Sequence, residues 1–124
     1  MSQYFDLGDE TLWNPSTGAA RLFLRQVAVF EAELDLPSGI GPMEHDECQL
    51  DPAVFTTFVN ALLAHHRRSH HAVVVALSEG FVATVLALAG RAGVAVDWAS
   101  AREDEAWAER LRERAGELDR YMAR

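Results

Sequence analysis

The stretch from Ala72 to Ala89 is apolar nearly all round, interrupted by Ser78-Glu79-Gly80. A segment without a polar face must be enclosed, so the rest of the chain has to be arranged around it. The run approaches the length of a bilayer span, but its interruption falls mid-way, and a buried helix accounts for it better. A competing reading is a hairpin, with Val73-Val74-Val75 and Phe81-Val82 as strands and Ser78-Glu79-Gly80 as the turn. The length of the stretch and the register of its alanines favour one helix, capped by Ser69 and reaching about Arg91.

Three more helices are expected around it. Asn14-Pro15-Ser16 is a helix opening, with Asn14 or Ser16 as cap and Pro15 at the first position. Phe23, Val27, Phe30 and Leu34 then recur on one face until Pro37, Gly39, Gly41 and Pro42 end the helix near Leu36. Asp51 and Pro52 open the second, whose apolar face is Phe55, Phe58, Val59, Leu62 and Leu63, and which closes on His65-His66-Arg67-Arg68. The last begins at Ser100, which stands in capping-box spacing to Glu103, and carries the stripe Trp107, Leu111, Ala115, Leu118 and Met122. Residues 3–13 read as a hairpin or extended arm around Gly8-Asp9, with further short strands near Cys48-Gln49-Leu50 and Val94–Trp98. The expectation is a single α+β domain over residues 1–124, mostly helical, with a small hairpin or short sheet. A chain of 124 residues can bury a core without staples.

Charge narrows the function further. The formal net charge is −8, and all of it accumulates before residue 65: ten Asp and Glu there meet only Arg21 and Arg25, whereas nine acids meet nine arginines afterwards. Such a surface disfavours nucleic acid and anionic membrane and favours a cationic partner or a metal ion. All eleven cations are arginine, a pattern that codon bias in a GC-rich genome explains, and no lysine is present to form a Schiff base. Cys48 is the only cysteine, so no internal disulfide can form. The opening residues lack the basic-then-apolar order of a secretory signal, and a cytoplasmic protein is expected. No glycine-rich phosphate loop, nucleophile elbow or paired-cysteine motif occurs, which lowers the odds of a common enzyme class.

Three groups could carry chemistry. Glu44-His45-Asp46-Glu47-Cys48 is the densest set of ligand-type atoms. Strand alternation would place Glu44, Asp46 and Cys48 on one side and His45 and Glu47 on the other. Without a second cluster at ligand spacing, a solvated acidic loop is favoured over a metal site. His65-His66 and His70-His71 flank Arg67-Arg68; a continuous helix would let His66 and His70 share a metal, but cations at a helix's last turn are the simpler explanation. Glu79 stands inside an apolar helix, where an unpaired carboxylate is costly, so an exposed or arginine-paired side chain is expected, with a ligand-facing one as alternative. Glu105, Glu109, Glu113 and Glu117 on the last helix read as a solvated face.

Tyr4-Phe5-Asp6, Leu12-Trp13-Asn14-Pro15-Ser16, Leu36-Pro37-Ser38-Gly39, Gln49-Leu50-Asp51-Pro52 and Glu79-Gly80-Phe81 together resemble a family of small actinomycete proteins, a domain of unknown function. The resemblance spans nearly the whole length and implies one helix-rich domain. The family has no assigned activity, so no catalytic residues carry over. The expected function is that of a non-catalytic acidic binding protein recognising a basic protein partner, in the manner of an immunity protein or antitoxin. Its contacts would be Asp6, Asp9, Glu10, Glu44, Asp46 and Glu47. The alternative is an enzyme or ligand-binding domain with a pocket between the 37–50 loop and the 70–91 helix, lined by Trp13, His45, Glu47 and Glu79. A metal-binding regulator is a further alternative. No cofactor is expected, and Trp98, Trp107 and Tyr121 offer an apolar surface for a homodimer.

Overall fold

The computed structural model describes residues 1–98 and 105–124. Its elements run β1 (Tyr4–Leu7), β2 (Glu10–Trp13), α1 (Thr17–Leu34), β3 (Glu47–Gln49), α2 (Pro52–Arg68), α3 (Ala72–Ala92) and α4 (Ala106–Tyr121). The long apolar stretch is therefore one helix, not a hairpin. α3 packs on α2 and α4 and its far end reaches β2. From Phe81 onward nearly every side chain is enclosed, including Val82, Val85, Leu88 and Ala89. Its first two turns differ from the expectation of full burial: Val73, Val74 and Leu77 are exposed.

The sheet and the helices meet in a cluster of aromatic rings. Phe5 stacks on Trp13 at 5.2 Å between centroids, and Phe23 meets both edge-on at 5.6 and 5.3 Å. Phe81 of α3 continues the chain, 5.7 Å from Phe23 and 4.6 Å from Phe30. Each buried ring stabilises the fold by about 1.5–3 kcal/mol through area alone, with roughly 0.5–1.5 kcal/mol more per favourable ring pair.

β1 lies between its neighbours, antiparallel to β2 and parallel to β3. The hairpin turns at Gly8, whose φ of +60° suits a residue without Cβ. Gly39 is needed for a second reason besides its φ of +77°: a Cβ there would stand 2.6 Å from the Phe55 amide nitrogen and 2.8 Å from the Asp51 carbonyl. The loop after α1 is thus pressed onto the start of α2.

Several helix ends differ from the sequence reading. Of the two residues offered as caps for α1, Ser16 takes the role, its hydroxyl accepting from the Ala19 amide at 3.2 Å. The backbone amide of Asn14 donates to the Ala123 carbonyl at 2.7 Å, tying the C-terminus beside β2. Asp51 caps α2 as expected, accepting from the Ala53 and Val54 amides at 3.1 and 3.2 Å. Ser69 closes α2 rather than opening α3, donating to the His65 carbonyl at 3.0 Å, while the His71 ring caps α3. Residues 94–98 form no strand: Asn60 occupies that backbone instead, donating to the Ala95 carbonyl at 3.1 Å and accepting from the Asp97 amide at 2.7 Å. The expected cap pair Ser100 and Glu103 lies outside the described residues.

Arg91 locks the two ends of the chain together. Its guanidinium, with the side chain 9% exposed, pairs with the Asp119 carboxylate at 2.7 Å. It also donates to the carbonyls of Leu12, Asp119 and Met122 at 2.7, 2.9 and 2.6 Å.

Candidate functional site

Phe5 and Cys48 point into the core, so strand alternation turns Tyr4, Asp6, Glu47 and Gln49 to the other face. The parallel register sets Tyr4 beside Glu47 and Asp6 beside Gln49. His45 and Asp46 both adopt left-handed backbone, φ 52° and 65°, and turn the chain back so that Glu44 and Glu47 exchange backbone hydrogen bonds at 2.9 and 3.0 Å. This corrects the expected alternation through 44–48, which begins only at Glu47. The result is an acidic ridge: Asp6, Glu44, Asp46 and Glu47 occupy one strand pair and its turn, with His45 exposed at the tip. Asp9 sits at the hairpin turn, which the Gln49 side chain fastens to β3 through both the amide and the carbonyl of Gly8, at 3.1 and 3.2 Å.

None of those five carboxylates has an ion-pair partner among the described residues. Asp46 accepts a hydrogen bond from the Gln3 side chain at 3.3 Å, and one oxygen of Asp6 is buried without a partner among the described residues. Cys48 is turned away, its thiol donating to the Gly41 carbonyl at 2.9 Å. Burial, with the Asp6 charge adding to it, pushes that thiol up to about 11. Among the described residues no three His, Cys, Asp or Glu side chains gather as a metal site. His66 and His70 are separated by the break between α2 and α3 and do not share a helix.

The other expected contact residues lie elsewhere. Glu10 is paired with Arg124 at 3.3 Å. Trp13 is a core residue stacked on Phe5, not a pocket wall. Glu79 pairs with Arg110 of α4 at 3.3 Å, as an arginine-paired side chain should, and does not reach the ridge. The 37–50 loop does border a groove of about 670 Å³, but its walls come from α1, α2 and the loop, including Glu31, Ile40, Leu50 and Val54, and no α3 residue lines it. The reason is local: the Ser38 amide donates to the Glu31 carboxylate at 2.8 Å and Gly39 abuts α2, which holds the loop away from α3. Trp98 and Trp107 pack at 6.5 Å with Arg112 laid over Trp98 at 4.2 Å, so of the three aromatics expected at a dimer surface only Tyr121 is fully presented.

A second site gathers around the His-Arg cluster, which the sequence reads as cations at a helix's last turn. The end of α2, the start of α3 and the start of α4 enclose a basin of about 650 Å³, lined by Arg67, Arg68, His70 and Arg110 with Trp107 and Val75 as its apolar wall. His66 also lines it, only 6% exposed. Its Nδ1 lies 3.4 Å from the Ser78 hydroxyl, whose own proton goes to the Val74 carbonyl at 2.8 Å. That arrangement assigns the ring proton to Nδ1 and leaves Nε2 an acceptor without a partner among the described residues. Burial, helped by the charges of His65 and Arg110 and opposed by Glu79, holds the His66 pKa below its ordinary value. The Trp107 ring stands 6.3 Å from His66 and donates its indole N–H to the Glu105 carboxylate. The spacing of Trp107 and Arg110 on one helical face was visible in the sequence, but only the docking of α4 places them opposite Arg67 and Arg68.

Compared with models of known families, the chain is matched by one over residues 1–124, end to end. No curated protein and no solved structure matches it.

Proposed function

The chain belongs to DUF6086, a family of unknown function, and we propose that it is a non-catalytic binding protein that offers its acidic ridge to a basic protein partner. The supporting observation is where the arginines go. All four ion pairs among the described residues use Arg91, Arg110, Arg114 or Arg124, and only Glu10 of the acidic half receives one. Asp6, Asp9, Glu44, Asp46 and Glu47 are therefore left to sum into one negative field. Such a field accelerates encounter with a cationic surface and rejects anionic ones. An immunity- or antitoxin-type role, in which a small acidic domain neutralises a basic nuclease, is the form of this reading we favour. It places the protein in the cytoplasm of an actinomycete, in keeping with a lone buried thiol and an arginine-only cation set.

The test is affinity capture from an extract of the source cell with the wild-type protein and with the variant Asp6→Asn, Glu44→Gln, Asp46→Asn, Glu47→Gln. The reading expects a basic partner retained by the wild type at low salt, and lost with the variant or at high salt. A partner held equally by both proteins would refute it.

A further inference from the structure

We propose that the basin between α2, α3 and α4 is a binding site for a small organic phosphate monoester. This is independent of the acidic ridge. α3 separates the two: Arg91 near its end touches β2 while Val75 near its start lines the basin, which is roughly 24 Å of helix at 1.5 Å per residue.

Two observations converge. Arg67 and Arg68 line the basin and have no ion-pair partner among the described residues, whereas Arg110 is shared with Glu79. Two free guanidinium forks match the charge of a phosphate monoester, about −1.5 to −2 at pH 7, and its bidentate geometry. α4 also begins at the rim, but Glu105 at its cap and Glu109 in its first turn offset the positive end of that helix, so the arginines carry the field. Second, the His66 ring, only 6% exposed, lines the cavity among Arg67, Arg68 and Arg110, and with Ser78 on its Nδ1 side it turns Nε2 into an acceptor for the ligand. A hydroxyl or protonated phosphate oxygen donates to that atom.

The size and the walls set the ligand class. A volume of about 650 Å³ greatly exceeds what inorganic phosphate fills, and it falls in the range of about 300–1,000 Å³ typical of small-molecule sites. Trp107 and Val75 provide an apolar flank for the esterified group, and the Glu105 carboxylate faces any donor that group carries.

The experiment is an NMR titration of the whole protein, following the His66 ring and the Trp107 indole N–H. The probes are phenyl phosphate, inorganic phosphate and vesicles of phosphatidylcholine containing phosphatidic acid, whose headgroup has the same chemistry. The expected result is saturable shifts of both signals with phenyl phosphate and weaker binding of inorganic phosphate. The double variant Arg67→Gln, Arg68→Gln should raise Kd by roughly tenfold or more, as lost charge-assisted bonds do, while Arg120→Gln leaves it unchanged. Both arginines are exposed at a helix end, so the variant retains its fold, which the unperturbed core resonances check. No saturable shift, or shifts indifferent to the double variant, would overturn the proposal. Response to the vesicles alone would also overturn it, in favour of a lipid surface.

Discussion

Replacing Arg91 with alanine should be the most damaging surface-reachable change in this protein. The guanidinium makes one bond to a carboxylate and three to carbonyls that belong to β2 and to the end of α4, between 2.6 and 2.9 Å. Bonds from a charged donor contribute about 1.5–3 kcal/mol each, but they are not additive, and truncating one member of a buried charged network costs about 3–5 kcal/mol. We expect Arg91→Ala to cost about 3–5 kcal/mol. Arg91→Lys should lose most of that, because an ammonium cannot serve four acceptors arranged around a planar fork. Asp119→Ala should cost under about 1 kcal/mol, since that carboxylate is 49% exposed and its backbone carbonyl keeps its bond. Urea denaturation of the three variants separates these values. With a slope of about 2 kcal/mol per molar, the alanine midpoint falls by roughly 2 M. Arg91→Ala within about 1 kcal/mol of wild type would refute the view that this side chain fastens the chain ends.

Two glycines should respond in opposite directions. Gly39→Ala places a Cβ against backbone atoms of α2 in a left-handed residue and should destabilise by about 2–5 kcal/mol. Gly116→Ala, in the middle of α4 with open space where its Cβ would go, should stabilise by about 0.5–1 kcal/mol; thermal unfolding reads both. The Cys48 thiol, raised from 9.0 to about 11 by burial and Asp6, should resist a disulfide reagent at pH 8 in the native protein and react at once in urea. The same shift keeps the folded state protonated where the unfolded state is not. Stability should therefore decline as pH rises from 9 towards 11, and Cys48→Ala should remove that part of the decline.

Elements whose signals are local were legible in the sequence. Asp51-Pro52 opens α2, Gly8 turns the hairpin, and the alanine register makes residues 72–92 a helix, because each of these depends only on neighbouring residues. What failed depended on distant ones. Val94–Trp98 has strand composition, but Asn60, far away in sequence, supplies the hydrogen bonds a partner strand would have made. Trp13 looked like a pocket residue because it was judged on its own type, and it completes an aromatic core; Glu79 meets Arg110, the arginine pairing that its apolar setting predicts. The acidic ridge was half-legible: its residues were named, but the parallel register that sets Asp6 against β3 joins segments forty residues apart. The basin was half-legible too: His66, Arg67, Arg68 and His70 stood out as a cluster, but its α4 wall with Trp107 and Arg110 is separated from them in sequence by the whole of α3.

The central claim is that unpaired carboxylates on the β1–β3 face bind a cationic protein. The most direct measurement is calorimetric affinity for the captured partner across a series of salt concentrations, with the wild type and with the fourfold neutralised ridge. A wild-type affinity that falls steadily with salt, and a variant affinity that is weak and nearly salt-independent, is the result this account predicts. Identical salt profiles for the two proteins would contradict it.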